Sequence, residues 1–330
     1  MRRGRIVGTG MCVPERVLTN ADLERMVETS DEWILARTGI RERRIAAPDE
    51  CLSSFAVPAA RNALEMAGLA GSDVDLVICA TVTPDQPFPA TSTRIQDQIG
   101  ASRAAAFDLA AGCTGFVYGL GVAQQFLQTG WAKTALVVGG EVLSKIVDWT
   151  DRNTCVLFGD GAGAVVLRAE EASENGDRGL LGTALRSDGS LAGLVELPGG
   201  GSREPHTLES LGGGRNFLKM RGSETFKIAV RSIAEISDEA LTSCGLGHKD
   251  VTWFIPHQAN RRIIEAVGQR LEVREGHTYI NVERFGNTSA ASIPIGLDEL
   301  NRGGKIHPGD ILLFSAFGAG LTWGAAVVRW

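Results

Sequence analysis

Charge is missing from one long part of this chain: residues 109–132 contain no Lys, Arg, Asp or Glu. A stretch of that length could span a bilayer on hydropathy alone. Its three Gln, five Gly and two Thr argue against that, which leaves a segment covered on all sides by protein. A basic excess is also missing. The 33 Lys and Arg against 39 Asp and Glu give a net charge of -6, which excludes a general nucleic-acid or membrane-surface binder. The six cysteines form no CxxC pair, and the opening MRRGRIVGTG lacks the long apolar run of a signal peptide, so a reducing, cytoplasmic setting is expected.

What is present is an α/β pattern, with short apolar runs alternating with helix-length segments. With 330 residues and 44% of them apolar, the chain can bury a sizeable core. Four blocks recur in order. DVDLVICA (73–80) matches DVTWFIPH (250–257), FDLAAGCTGF (107–116) matches NVERFGNTSA (281–290), LVVGGE (136–141) matches LLFSAF (312–317), and GAVVLR (163–168) matches GAAVVR (324–329). The offsets are 177, 174, 176 and 161, the last requiring an insertion in the first half, for which VLSKIVDWTDRNTCV is the candidate. This predicts a duplicated unit with its halves meeting near residue 175, in the linker-like EEASENGDRG. Two packed sheets need helices between them, and the uncharged segment 113–128 is expected to be one.

If Asp108 and Leu109 end a buried strand, Cys113 falls in the first turn of that helix. Unpaired N–H groups and the helix dipole favour an anion there, which predicts a lowered thiol pKa. Small neighbours at Ala110, Ala111, Gly112 and Gly115 leave room for a substrate carbonyl. The alternative for any single cysteine is a small buried hydrophobe, the role read here for Cys79 and Cys155. Among five histidines, His206, His248, His277 and His307 lie in polar surroundings, whereas His257 directly follows the apolar VTWFIP. That places it at the carboxyl end of a strand, the edge where α/β proteins build sites, with a purely structural His as the alternative. The repeat pairs Cys113 with Asn287, which is either a helix cap or a donor to an oxyanion. Arg261 and Arg262 follow Asn260, which is expected to cap a helix. Cations there oppose the dipole, so either an acidic partner or plain solvation accounts for them.

In these contexts Cys113, His257 and Asn287 resemble the β-ketoacyl-acyl carrier protein synthase III family of the thiolase superfamily. The resemblance covers nearly the whole chain, through TSDEWILARTGIRERRIAA, AFDLAAGCTGF, DRNTCVLFGDGAGA, PHQANRRII, GNTSAASIP and FGAGLTWGAA. It implies an α/β, five-layered αβαβα thiolase-like fold of two duplicated halves, 1–174 carrying the nucleophilic Cys and 175–330 carrying His and Asn, in a homodimer. The implied reaction condenses a short acyl-CoA, acetyl being expected, with malonyl-acyl carrier protein, releasing carbon dioxide and initiating fatty acid synthesis. Acyl-CoA is a substrate, and no cofactor or metal is implied.

By the same resemblance Cys113 would hold the acyl group, the backbone N–H groups of Cys113 and Ala319 would form the oxyanion hole, and His257 and Asn287 would hold the enolate oxygen. Coenzyme A contacts map onto Trp33, Arg37, Arg152 and Asn260, and carrier-protein docking onto Gln258, Ala259, Asn260, Arg261 and Arg262. Phe88 matches an acyl-pocket residue supplied across the dimer. Departures are Ala319 where Gly is common, Ser223 where Asn is common, and a long Gly-rich loop, 197–216, expected to be mobile. A starter-unit ketosynthase III of a polyketide or other secondary-metabolite pathway would use the same three residues. A cysteine hydrolase of the α/β-hydrolase type needs G-x-[SC]-x-G, and position 111 is Ala. A phosphate-binding module built on FGDGAGA lacks the P-loop Lys.

Overall fold

The computed structural model describes residues 2–171 and 178–330, so the expected junction near residue 175 lies outside the described residues. The strands before it are β1 (Arg2–Cys12), the short pair β2 (Val17–Thr19) and β3 (Glu42–Arg44), β4 (Leu76–Ala80), β5 (Ala105–Leu109), β6 (Thr134–Glu141) and β7 (Gly161–Glu171). After it come β8 (Gly179–Ser187), the short pair β9 (Val195–Glu196) and β10 (Lys219–Met220), β11 (Trp253–Pro256), β12 (Ile311–Gly318) and β13 (Thr322–Arg329). Two main sheets result, ordered β1-β7-β6-β4-β5 and β8-β13-β12-β11. Position by position the orders are the same. The extra strand, β5, has as its second-half counterpart only a parallel bridge between Phe254 and Thr278, because the chain there turns at once into a short helix. Two layered sheets of matching order are not the single sheet of an α/β-hydrolase.

The helices are α1 (Asn20–Glu24), α2 (Asp31–Thr38), α3 (Leu52–Ala67), α4 (Thr91–Gln98), α5 (Gly115–Gln128), α6 (Arg152–Cys155), α7 (Leu208–Gly212), α8 (Gly222–Ser243), α9 (Arg261–Arg270), α10 (Val282–Phe285) and α11 (Ser292–Arg302). On the outside, α3 packs on β1 and β7, and α8 on β13 and β8. Between the sheets lie α5 and α11, giving five layers in a thiolase-like fold. α5 touches β6, β1 and β4 on one side and β13 and β8 on the other, which accounts for its lack of charge. Its glycines permit this: a Cβ on Gly119 would sit 2.9 Å from Val137 Cγ1 in the first sheet, and one on Gly121 3.3 Å from Leu185 Cδ1 in the second. β6 and β12, covered on both faces, are buried at every residue. The insertion between β6 and β7 contains α6, whereas β12 and β13 are joined directly, hence the smaller last offset. Cys79 and Cys155 are core residues, as expected.

Candidate active site

Cys113 lies in the single 3-10 turn Gly112–Thr114 that carries β5 into α5. The turn is pressed against the end of β12. A Cβ on Gly112, whose φ is +54, would come 2.8 Å from Ala319 N, and one on Gly318 would come 2.5 Å from Cys113 N. Only glycine at both positions allows these backbones to meet. The Thr322 hydroxyl fastens the junction from behind, 2.8 Å from Ala111 O and 3.1 Å from Ala319 O.

His257 extends β11 by one residue, donating its N–H to Ser315 O at 2.8 Å. Its ring is 3% exposed, with Nδ1 2.8 Å from Ser292 Oγ. Burial pushes the imidazole down to about 4, so it is neutral at physiological pH. Asn287 is held by a bridge to Phe158, its N–H donating to Leu157 O at 2.8 Å and its C=O accepting from Gly159 N at 3.0 Å. Its side-chain Oδ1 accepts from Ser289 N at 2.9 Å. The amide NH₂ is therefore the end left to act as a donor. Cys113, His257, Asn287 and Ala319 line one pocket of about 140 Å³, whose other walls include Val82, Leu143, Phe158 and Phe317.

Not every expected feature holds. The thiol pKa is raised to about 11 rather than lowered, because burial outweighs other influences; the Ser289 hydroxyl opposes the rise and the nearby Glu141 carboxylate adds to it. Gln258 is 1% exposed and cannot meet a docking protein. Its amide clamps the chain internally, Nε2 to Pro256 O and Tyr279 O, and Oε1 from Asn281 N and Val282 N. Arg261 finds its acidic partner in its own helix, Glu265 at 2.8 Å. Arg262 lies over the Phe226 ring, 5.6 Å from its centroid. Asn260 caps α9 through Oδ1 to Ile263 N at 2.9 Å and lines the pocket beside Ala259. His277 is partly buried against the Trp253 ring rather than solvated.

Trp33, Arg37 and Arg152, distant in sequence, come together: the two guanidinium carbons lie 4.3 and 5.0 Å from the Trp33 ring centroid. The ring packs on the cluster containing Leu218, which also lines the pocket. Phe88 is 84% exposed and stands outside its own chain's pocket. The side chain of Ser223 lies outside the described residues. Loop 197–216 contains α7, capped by Thr207, and an Arg215–Glu204 ion pair at 2.6 Å. Sequence reasoning missed Ser289, Ser292 and Glu141. The one signal for Glu141 was a carboxylate closing the otherwise apolar LVVGGE.

Comparisons with known proteins agree with this geometry. Residues 107–189 match the family model "3-Oxoacyl-[acyl-carrier-protein (ACP)] synthase III", and residues 241–330 its C-terminal counterpart. The chain is 53% identical over 328 residues to the beta-ketoacyl-[acyl-carrier-protein] synthase III of Rhodospirillum centenum, covering 99% of both. It is 54% identical over 325 residues to that of Roseiflexus castenholzii, covering 98% of this chain and 97% of the relative. Among solved structures, 3-oxoacyl-[acyl-carrier-protein] synthase III from Aquifex aeolicus VF5 superposes with a TM-score of 0.90 at 45% identity, covering 99% of this chain and 100% of the other. The priming β-ketosynthase of the R1128 polyketide pathway is more distant in sequence, with 34% identity, a TM-score of 0.91 and coverage of 99% and 96%.

Proposed function

Because the chain belongs to the 3-oxoacyl-[acyl-carrier-protein] synthase III family, we propose that Cys113, His257 and Asn287 carry out its reaction. That reaction is the initiating condensation of fatty acid synthesis, in which an acyl group from acyl-CoA is joined to malonyl-acyl carrier protein with loss of carbon dioxide. The observation that carries the assignment is the convergence of the three side chains on one pocket, from two halves of the chain. The Cys113 sulfur attacks the acyl-CoA thioester, and the N–H groups of Cys113 and Ala319, brought together by Gly112 and Gly318, receive the oxyanion. Coenzyme A leaves, and the malonyl thioester takes its place. On decarboxylation the Asn287 NH₂ and His257 Nε2 donate to the enolate oxygen. Nε2 carries the needed hydrogen when the Ser292 hydroxyl turns from Ser289 O, 2.8 Å away, to His257 Nδ1, also 2.8 Å away.

The primer is acetyl or another short acyl group, a choice supported by the small pocket and its bulky walls at Leu143, Phe158 and Phe317. Coenzyme A lies along Trp33, Arg37, Arg152 and Asn260, supported by the paired cation–π contacts. The carrier protein docks on Ala259, Asn260, Arg261 and Arg262, a reading supported by the exposure of both arginines at the start of α9. The enzyme works in the cytoplasm; no helix among the described residues is long and apolar enough to cross a membrane. Residues 1–174 and 175–330 are the two duplicated halves, supported by the matching strand orders. The protein is a homodimer in which Phe88 enters the partner's acyl pocket, supported by the exposure of Phe88 and the open edge of β5.

Two half-reactions test the catalytic assignment: intact mass after acyl-CoA alone, and carbon dioxide released from malonyl-acyl carrier protein alone. Cys113→Ala abolishes acylation and retains decarboxylation. Asn287→Ala does the reverse, slowing decarboxylation by roughly 10² to 10³, as loss of an oxyanion donor does. Normal decarboxylation by Asn287→Ala would return Asn287 to a structural role. Running the first assay across acetyl-, isobutyryl- and octanoyl-CoA identifies the primer.

A further inference from the structure

Glu141 closes β6 and is completely buried, yet no step above uses it. Its oxygens accept from Thr81 Oγ1 at 3.1 Å, Val82 N at 3.1 Å, Thr83 N at 3.1 Å, Thr83 Oγ1 at 2.5 Å and Ser289 Oγ at 3.1 Å. Ser289 is one of two non-glycine residues among the described residues with a left-handed backbone, at φ 50°. Such a conformation costs on the order of 1–3 kcal/mol and persists where surrounding contacts impose it. Here the N–H donates to Asn287 Oδ1, the C=O accepts from Ser292 Oγ, and the hydroxyl donates to Glu141. Ser289 lines the same pocket as Cys113, and its side chain opposes the rise that burial imposes on the thiol. One residue thus joins the wall beside the nucleophile to a buried carboxylate.

Cys113 requires a proton acceptor, since burial holds its thiol near 11. His257, pushed down to about 4, is a poor one. Burial raises Glu141 to about 7 against its hydrogen bonds, making it the stronger base. Other ionisable groups around it are otherwise engaged. Asp108 accepts from Thr91 N and Ser92 N. Asp85 accepts from Ser53 N and pairs with Arg94. The Lys145 amine donates to Ala47 O and Pro48 O, and Cys79 is a buried thiol raised well above its ordinary value.

We propose that Glu141, acting through the Ser289 hydroxyl, takes the Cys113 proton during acylation and returns it to the departing coenzyme A thiolate. The inference rests on the reading of Cys113 as the acylated nucleophile. As the Cys113 S–H bond breaks, its proton passes to Ser289 Oγ while the Ser289 hydrogen passes to Glu141 Oε1. The sulfur electron pair forms the new S–C bond to the acyl carbonyl. Collapse of the tetrahedral intermediate breaks the C–S bond to coenzyme A, whose sulfur keeps that pair and receives the proton back along the same path. Acyl-CoA and enzyme thiol become acyl-enzyme and coenzyme A thiol, and no other reactant is needed. Glu141 is thus a positioning and proton-holding residue that reaches the reacting sulfur only through Ser289.

The test is single-turnover acylation of the full-length enzyme by acetyl-CoA, followed by intact mass from pH 5.5 to 9. The wild-type rate rises with pH through an inflection near 7. Glu141→Gln lowers the rate by about 10² to 10⁴, the range typical of general-base loss, and removes the inflection. Ser289→Ala, which leaves Glu141's other donors in place, produces the same two changes and guards against misfolding of the first variant. Carbon dioxide release from malonyl-acyl carrier protein alone changes less than about threefold in both. Wild-type acylation with an unchanged inflection in both variants overturns the proposal, as do equal losses in acylation and decarboxylation, which mark a merely structural role. Acylation of Cys113→Ala in the same assay would instead overturn the assignment of the nucleophile.

Discussion

His257 and Glu141 are buried groups displaced in opposite directions, and together they shape the enzyme's response to acid. The His257 imidazole falls from 6.5 to about 4 on folding, so its contribution to stability is present above pH 6.5 and lost as pH falls through 4. The Glu141 carboxyl rises from 4.5 to about 7, so its contribution is present below pH 4.5 and lost as pH rises through 7. Each shift corresponds to about 3 kcal/mol, and across the shared window the two nearly cancel. In His257→Asn the Glu141 trend is unopposed. Its unfolding free energy, measured against wild type by urea titration, should fall by about 3 kcal/mol between pH 4 and 6.5; a constant offset would contradict the assigned shift. Cys113 and His257 were legible in sequence because each sits at a recognisable junction of apolar run and helix, and Asn287 because the repeat pairs it with Cys113. Ser289 and Glu141 were not, since they meet Cys113 only in space. The direction of the thiol shift was misread because the dipole is visible in sequence and the depth of the pocket is not.

At the scale of elements, close approach governs the centre of the molecule. A Cβ on Gly139 of β6 would lie 2.3 Å from Ala290 O, a backbone atom, whereas one on Gly119 of α5 meets only the tip of Val137 at 2.9 Å. Overpacking costs typically about 1–3 kcal/mol. Gly119→Ala should fall at the low end, since Val137 can rotate, and Gly139→Ala at or beyond the high end, since it forces the Asn287–Ser292 turn away from β6. Urea midpoints of the two variants check the order; a Gly139→Ala protein as stable as Gly119→Ala would show that the turn yields freely. The doubled architecture was readable because strands covered on both faces become uninterrupted apolar runs whose spacing survives in sequence. The weakening of a fifth strand to a bridge at Thr278 was not, since HTYI is as apolar and as short as strands that do pair.

For the whole molecule, the open edge of the first sheet matters most. Ala105 N–H donates to Asp75 O and Leu109 O accepts from Thr81 N, so strand alternation turns the N–H groups of Ala106 and Asp108 toward the edge, an invitation to pair with another strand. The adjoining Phe107, Phe126 and Trp131 form an aromatic row that ends in the 57%-exposed Trp131. Ala106→Pro removes an outward donor without breaking an inward one, and if the proposed homodimer pairs along this edge, sedimentation finds the variant at half the mass of wild type; an unchanged mass would count against that pairing. The uncharged helix between the sheets has a further consequence, during synthesis. α5 leaves the ribosome with one face destined for strands that end only at Arg329. At roughly 5–20 residues per second, the remaining two hundred or so residues take about 10–40 s to follow. For that interval the face of α5 meant for β13 and β8 is an apolar surface without a charge on it, waiting for the second sheet to cover it.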